Sequence, residues 1–293
     1  MRFAAKDRVL NAAARLLSLR WMRPLSSRAL SSWASSLLQR NVSIFYDSVW
    51  LRTDGDTTIA LGPIAPLRRS QIQRWKPDAG EVTELAASFW YLFYKPLKGD
   101  VVVDIGAGMG EDAILFARSV GEAGAVYCFE AHPFTALCLK KTIEHSKLSN
   151  VVPIHAAIYD KTCTLNIEDR SDEQWQENSV ISATTSQPVR GFAVPAFPLD
   201  EFEPLRKHGP IAFIKMNIEG AEVDALKGMP RTLAKTKAIC VACHDFLSAK
   251  NPRMKTKEAC RELLRKAGFT VYDADPNSPP WQRDHLHGLR LPG

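Results

Sequence analysis

The sequence predicts an α/β protein: a mostly parallel sheet with helices on both faces. Three observations carry this. Short apolar, β-branched runs such as "VVVDIG" (101–106) and "IAFIKMNI" (211–218) read as strands buried on both faces. They alternate with helical patterns at 111–119, 133–146, 221–235 and 255–267. A glycine-rich stretch, "DIGAGMG", stands where the first of these strands hands over to the first of these helices.

The chain starts differently. Residues 1–40 hold eight Lys/Arg and one acid, while the whole chain carries only +6, so the remaining body is close to neutral. Nothing in that body suggests a nucleic-acid-binding face. Phe3, Leu10, Leu17 and Trp21 fall near one helical face, with Arg8 and Arg15 elsewhere on the wheel. Pro24 interrupts, and Leu30, Trp33 and Leu37 form a second set. Three readings stay open: a helical cap on the rest of the chain, a peripheral helix on anionic lipid, or an Arg- and Ser-rich transit segment. Arg15 and Arg20 argue against a secretory signal, and no apolar run is long enough to span a bilayer. The expectation is a cytoplasmic protein, with peripheral membrane contact through residues 1–40 as one of these open readings. Six scattered cysteines read as buried thiols in a reducing compartment.

Residues 42–51 and 57–61 alternate around Thr53-Asp54-Gly55-Asp56 and predict a hairpin. A basic loop region from Pro63 to Pro77 follows, then a helix over 80–94 with Val82, Leu85, Phe89 and Phe93 on one stripe. We place the domain boundary here: residues 1–79 form the extension and 80–293 the main domain. Further strands are expected at "AVYCFE" (125–130), "VVPIHAAI" (151–158), "AICVAC" (238–243) and "FTVYDA" (269–274). Between 160 and 200, "CTLNIED" and "GFAVPAF" suggest an inserted hairpin and irregular substrate loops.

The glycine loop discriminates between ligands. Asp104, Gly106, Gly108 and Gly110 occupy alternate positions. A dinucleotide fingerprint needs G-x-G-x-x-G, so that a pyrophosphate can sit on the helix N-terminus. Here the third glycine comes one residue early, and Glu111 takes its place in the fingerprint. Asp104 adds an anion where a diphosphate gains nothing. The pattern suits a ligand with a positive end and no phosphate, which S-adenosylmethionine is. Glu130 ends the next strand, where a carboxylate can accept both ribose hydroxyls. NAD and S-adenosylmethionine both carry a ribose, so Glu130 alone does not choose between them; the loop spacing does.

"VVVDIGAGMGEDAILFA", "YCFEAHP" and "FIKMNIEGAEVDALKGM" together resemble the FkbM family of S-adenosylmethionine-dependent methyltransferases, over roughly residues 80–275. The resemblance implies a Rossmann-like methyltransferase fold with a seven-stranded sheet. It also implies O-methylation of a hydroxyl on a sugar, glycolipid or related small molecule. Family members commonly read K-x-D-x-E-G-x-E where this chain has "KMNIEGAE", so Asn217 replaces the expected Asp. Asn cannot act as a base and is a weak metal ligand, though it can hydrogen-bond the cofactor amine or the acceptor. Lys215, Asn217, Glu219 and Glu222 lie at or beyond the carboxyl end of a strand, where open α/β sheets bind ligands. An NAD-dependent oxidoreductase and a non-catalytic cofactor-binding scaffold remain as alternatives.

"CVACH" (240–244) matches the haem-attachment pattern C-x-x-C-H. Cys240 and Cys243 differ by an odd number within an apolar strand, so they point to opposite faces and cannot share one haem. His244 ends that strand and is a candidate general base, with Asp245 placed to orient it; Glu219 and Glu222 are the other candidates. His132 and His155 read as structural. His285 and His287 in "DHLHG" supply two ligands without a third, so no metal site is expected.

Overall fold

The computed structural model describes residues 11–67, 72, 73, 75, 78–168 and 191–290. Phe3 and Leu10 of the proposed basic helix lie outside them. A helical stretch over 11–17 leads into α1 (Arg23–Leu38) and three strands, β1 (Val42–Asp47), β2 (Val49–Asp54) and β3 (Thr57–Gly62). Next come α2 (Ala79–Trp90), β4 (Val101–Ile105), α3 (Glu111–Val120), β5 (Ala125–Glu130), α4 (Pro133–His145) and β6 (Val151–His155). Then β7 (Ala157–Ile158), β8 (Cys163–Glu168), β9 (Gly191–Phe197), α5 (Glu203–Lys207) and β10 (Ile211–Met216). The chain continues with α6 (Glu222–Lys227), α7 (Pro230–Ala234), β11 (Thr236–Ala242), α8 (Lys257–Lys266), β12 (Thr270–Asp273), α9 (Pro280–Arg283) and β13 (His285–Leu289).

The central sheet has seven strands in the order β12-β13-β11-β10-β4-β5-β6. Only β13 runs antiparallel to its neighbours. This is the mostly parallel, Rossmann-like sheet that the alternating pattern predicts. Its two faces are both covered. Val103, Ile105, Tyr127 and Phe129 pack with Leu205, Leu226, Leu233 and Leu264 from α5 to α8. Val102, Val126 and Cys128 pack with Trp90, Phe116 and Leu139 from α2 to α4. The period-2 split of β4 and β5 explains why their sequences are apolar on both faces apart from Asp104 and the terminal Glu130.

Several elements differ from expectation. The hairpin is a three-stranded sheet, β1-β2-β3, because the run read as one strand folds back at Ser48. Ser48 has φ 64° and lets Asp47 pair with Val49. No glycine or proline marks that turn; only the Asp47-Ser48 pair hints at it. The helix expected over 221–235 divides into α6 and α7, since Pro230 starts a new helix. The run 151–158 leaves the main sheet after His155, and β7 joins a second small sheet ordered β7-β9-β8. The expected inserted hairpin is present there as the antiparallel pair β8–β9; residues 169–190 between them lie outside the described residues. "DHLHG" forms β13, wedged between β11 and β12.

The N-terminal elements are tied to the rest. Serines of α1 close the free edge of β1: Ser35 Oγ exchanges hydrogen bonds with Val42, and Ser31 Oγ with Ile44. The serine content that suggested a transit segment therefore has a structural use. The opposite side of the small sheet lies on α4. Ala60 N donates to Thr142 Oγ1 at 3.0 Å and Thr58 N to Ser146 Oγ at 2.9 Å, beside an apolar contact of Leu51 and Ala60 with Cys138.

Candidate functional site

A cavity of about 260 Å³ opens at the carboxyl ends of β4, β5 and β10. The loop after β4 forms its floor. Gly106 N and Ala107 N both donate to the Phe129 carbonyl, and Asn217 N donates to the Ile105 carbonyl, so the loop is tied to both neighbouring strands. Gly106 has φ 77°, and a Cβ there would strike the Asn217 carbonyl. Only glycine lets the loop approach the end of β10 this closely.

Lys215 anchors the loop from beneath. Its side chain is 2% exposed, and its ammonium lies 2.9 Å from Asp104 and 3.4 Å from Asp112 and donates to the Gly106 carbonyl at 2.7 Å. Burial by itself would lower the lysine; Asp104 and Asp112 outweigh it and hold the ammonium above its ordinary value. Burial pushes the Asp104 carboxyl up to about 6, against the pull of Lys215. Trp90 closes this group: Lys215 lies 5.2 Å from the centre of its ring, and its Nε1 donates to Asp112. Sequence reading had placed Lys215 at the strand end without a role, and had missed Asp112 and Trp90.

Glu130 stands at the cavity wall and is placed by two backbone groups. Gly108 N donates to one carboxylate oxygen at 2.9 Å and His132 N to the other at 2.8 Å. Burial pushes its carboxyl up to about 7, against those two donors. The carboxylate is thus pre-oriented before any ligand arrives.

The expected site residues divide. Gly106, Gly108, Glu130, Asn217 and Glu219 line the cavity. Asp104 does not; it is fully buried below the loop with Lys215, so its charge holds the loop rather than meeting a ligand. Gly110 does not either; with φ 94° it caps α3 and faces Leu139 and Thr142 of α4. His244 and Glu222 also lie outside the cavity lining. Glu222 is fully buried, takes Gly220 N on both oxygens and stands 3.3 Å from His244 Nδ1. Asp245 does not orient the ring. Its Oδ1 accepts from Thr256 N and Lys257 N at 2.9 Å each, at the start of α8. Burial would lower the His244 imidazole, but Glu222 and then Glu219 raise it above its ordinary value.

The lining also includes residues not expected at the site, although Glu111 figures in the glycine-loop spacing and His132 reads as structural. Glu111 and Asp112, in the first turn of α3, face the cavity, as do His132 and Thr135 at the start of α4. An apolar wall of Ala156, Ala157, Ile158, Leu165 and Ile167 comes from β7, β8 and the residue before them. Acidic residues directly after a glycine loop were a readable signal. The apolar wall was not, since it depends on how the second small sheet docks. Asn217 Oδ1 is buried at the cavity with no hydrogen-bond partner among the described residues.

Cys240 and Cys243 fall into the two different cores on opposite faces of the sheet. This is the parity argument against a shared haem.

Three solved structures illustrate what the chain is similar to. Fibrillarin from Aeropyrum pernix, with natively bound S-adenosyl-L-methionine, is 13% identical, with 86% of this chain and 98% of that chain covered and a TM-score of 0.43. An O-methyltransferase from Bacillus cereus in complex with SAH is 12% identical, with coverages of 97% and 99% and a TM-score of 0.42. Precorrin-6y C5,15-methyltransferase from Geobacter metallireducens is 12% identical, with coverages of 72% and 88% and a TM-score of 0.40. A comparison with curated proteins returns no match. The sequence pattern of the methyltransferase FkbM domain matches residues 104–271, more than half of the chain and the span that holds the glycine loop, Glu130 and the Lys215–Glu222 run. The chain belongs to the methyltransferase FkbM domain family.

Proposed function

We propose that the protein transfers a methyl group from S-adenosylmethionine to a hydroxyl of a sugar, glycolipid or related small molecule. The observation that carries this is the charge of the cavity. Glu111, Asp112, Glu130 and Glu219 line it, and Lys215, the one Lys or Arg in the lining among the described residues, is already committed to Asp104 and Asp112. Such a wall favours an ammonium and a sulfonium and disfavours a pyrophosphate. The NAD reading loses support for the same reason, because the α3 N-terminus that would cradle a diphosphate carries two acids.

The lining fits the cofactor group by group. Glu130, held by two amides, would take the ribose hydroxyls. Asn217 Oδ1, buried without a partner, would accept from the amine. The cofactor supplies an electrophilic methyl on sulfur. The chain's part is to align the acceptor oxygen in line with that bond, exclude water and take the hydroxyl proton. Glu219 is the best-placed group for the proton, as it lies on the cavity wall beside Asn217. His244 is a weaker choice: it is outside the lining, engaged by Glu222, and more readily protonated than an ordinary imidazole. We assign His244 and Glu222 the role of holding the turn that carries Glu219.

The N-terminal elements suggest where the acceptor is met. Leu16, Leu19, Trp21 and Leu25 crowd the joint between the 11–17 helical stretch and the first turn of α1 and are exposed, Trp21 at 73% and Leu25 at 63%. Arg15, Arg20, Arg23 and Arg28 surround them in sequence. Apolar tips among basic residues suit the surface of an anionic membrane, and a lipid-linked acceptor would be presented there. No helix among the described residues is long and apolar enough to cross a membrane.

Calorimetry with S-adenosylmethionine and with NAD tests the cofactor reading. Binding of the first in the micromolar range and none of the second is expected; tighter binding of NAD would overturn it. Labelled S-adenosylmethionine, incubated with glycan, lipid and small-molecule fractions, then tests the acceptor class. Cofactor binding without labelling of any fraction would favour the scaffold alternative. On the true acceptor, Glu219→Gln should reduce turnover about 10²–10⁴-fold, the usual range for losing an acid–base group. His244→Gln should cost less.

A further inference from the structure

Sequence reading left His285 and His287 as two ligands without a third. The register of the last strands supplies one. Cys240 on β11 pairs directly with His287 on β13, and Ala242 pairs with His285. His285 and His287 are two apart and so project from the same face of β13. On that face they meet Cys240, in the layer beneath α2. Ligand atoms of all three lie within 4.8 Å of one another, and Cys240 Sγ is 3.9 Å from His287 Nε2. All three side chains are buried, His285 at 2% exposure. His285 Nδ1 has no hydrogen-bond partner among the described residues, and such an orphaned buried polar atom is costly unless a ligand takes it. None of the three lines the cavity described above.

We propose that Cys240, His285 and His287 form a zinc site, distinct from the cofactor cavity. Bonds of about 2.3 Å to sulfur and 2.0–2.1 Å to nitrogen put tetrahedral ligand atoms about 3.5 Å apart. From separations of up to 4.8 Å the observed cluster needs to close by roughly 1.3 Å or less to reach that geometry, within the range of side-chain rotation. One thiolate and two imidazoles suit zinc, whereas magnesium and calcium would seek oxygen. No carboxylate completes the group: Asp273 is taken by Arg261 and Lys257, and Asp284 by Phe246 N. Three protein ligands leave a fourth position for a water. Binding would displace the Cys240 thiol proton to solvent, so affinity should rise with pH. The site would clamp β13 to β11. It would also stiffen Trp90, which stacks on His285 at 4.9 Å with 5° between the planes and donates to Asp112 at the cavity.

The test uses the full chain, stripped with a chelator and then titrated with zinc or cobalt(II) alone. One zinc per chain, with release of one proton, is expected. Cobalt(II) should produce a thiolate-to-metal charge-transfer band in the near ultraviolet. Cys240→Ala should abolish the band, while Cys243→Ala and Cys163→Ala keep it. His287→Gln should weaken zinc binding about 100-fold or more, comparable to or beyond the 10–100-fold loss when a supporting group is removed. If Cys240→Ala does not fold, His287→Gln decides by its metal affinity. Absence of a thiolate band in the wild-type protein, its survival in Cys240→Ala, or an unchanged metal affinity in His287→Gln would overturn the proposal.

Discussion

Glu130, the proposed acceptor of the ribose hydroxyls, shows how a single residue can carry both recognition and cost. It is a carboxylate raised to about 7 by burial and kept usable by two backbone donors. Replacing it with Ala removes the charge-assisted acceptor for the ribose, and S-adenosylmethionine affinity should fall tenfold or more, about 1.4 kcal/mol per decade. Calorimetry reads this directly. His244 makes a second test at this scale. Its imidazole is raised above the ordinary value despite burial, because Glu222 and Glu219 favour the cation. A raised folded value means the pairing contributes stability fully below the unfolded value near 6.5 and loses it as pH rises through the folded value. Histidine NMR should place the His244 midpoint above about 6.5. His244→Gln should remove that part of the pH dependence of stability. His285 and His287 move the other way; burial holds them down to about 3 and about 4.

Among the elements, α8 depends on a residue that sequence reading assigned elsewhere. Asp245 accepts from the N-cap amide Thr256 N and the first helical amide Lys257 N, although it lies ahead of the helix in sequence. It acts as a cap delivered from another loop. Asp245→Ala should therefore lower stability by about 1 kcal/mol, as for other lost caps, and leave cofactor affinity unchanged. Denaturant unfolding and calorimetry separate the two. The same element scale explains the mistaken role. Asp beside His in sequence invites a dyad, but the chain turns after His244, and Glu222 from α6 arrives instead.

For the whole molecule, the N-terminal elements raise two separable expectations. Removing residues 1–62 would strip the small sheet from α4, leaving Cys138 and the partners Thr142 and Ser146 open to water. The melting temperature should drop and aggregation should increase. The point variants Trp21→Ser and Leu25→Ser lie on the exposed joint and should leave the melting temperature unchanged. They should instead weaken co-sedimentation with anionic vesicles, which added salt should also reduce. Vesicle binding that survives both substitutions would place the membrane contact elsewhere; no vesicle binding by the wild type would leave the segment as a cap alone.

Local patterns were enough for the alternating strands and helices, the glycine loop and Glu130. Burial on both faces leaves β4, β5, β10 and β11 largely apolar, with Asp104, Glu130 and Lys215 as the functional exceptions, and a tight loop that must approach a neighbouring strand demands glycine at Gly106. The opposite faces of Cys240 and Cys243 also followed from local parity alone. What local patterns could not supply was anything that depends on which strand lies beside which. The Lys215–Asp104–Asp112 group joins β4, α3 and β10, and the two acids that hold the lysine are ordinary surface-type residues until the sheet order brings them together. Asp104 and Gly110 looked like ligand contacts by motif, yet packing turned both inward. His285 and His287 looked incomplete because their third neighbour, Cys240, is 45 residues away from His285 and becomes adjacent only through the antiparallel register of β11 and β13. Side-chain alternation is a property of one strand; neighbourhood is a property of the sheet, set by the summed burial of every strand and helix on it.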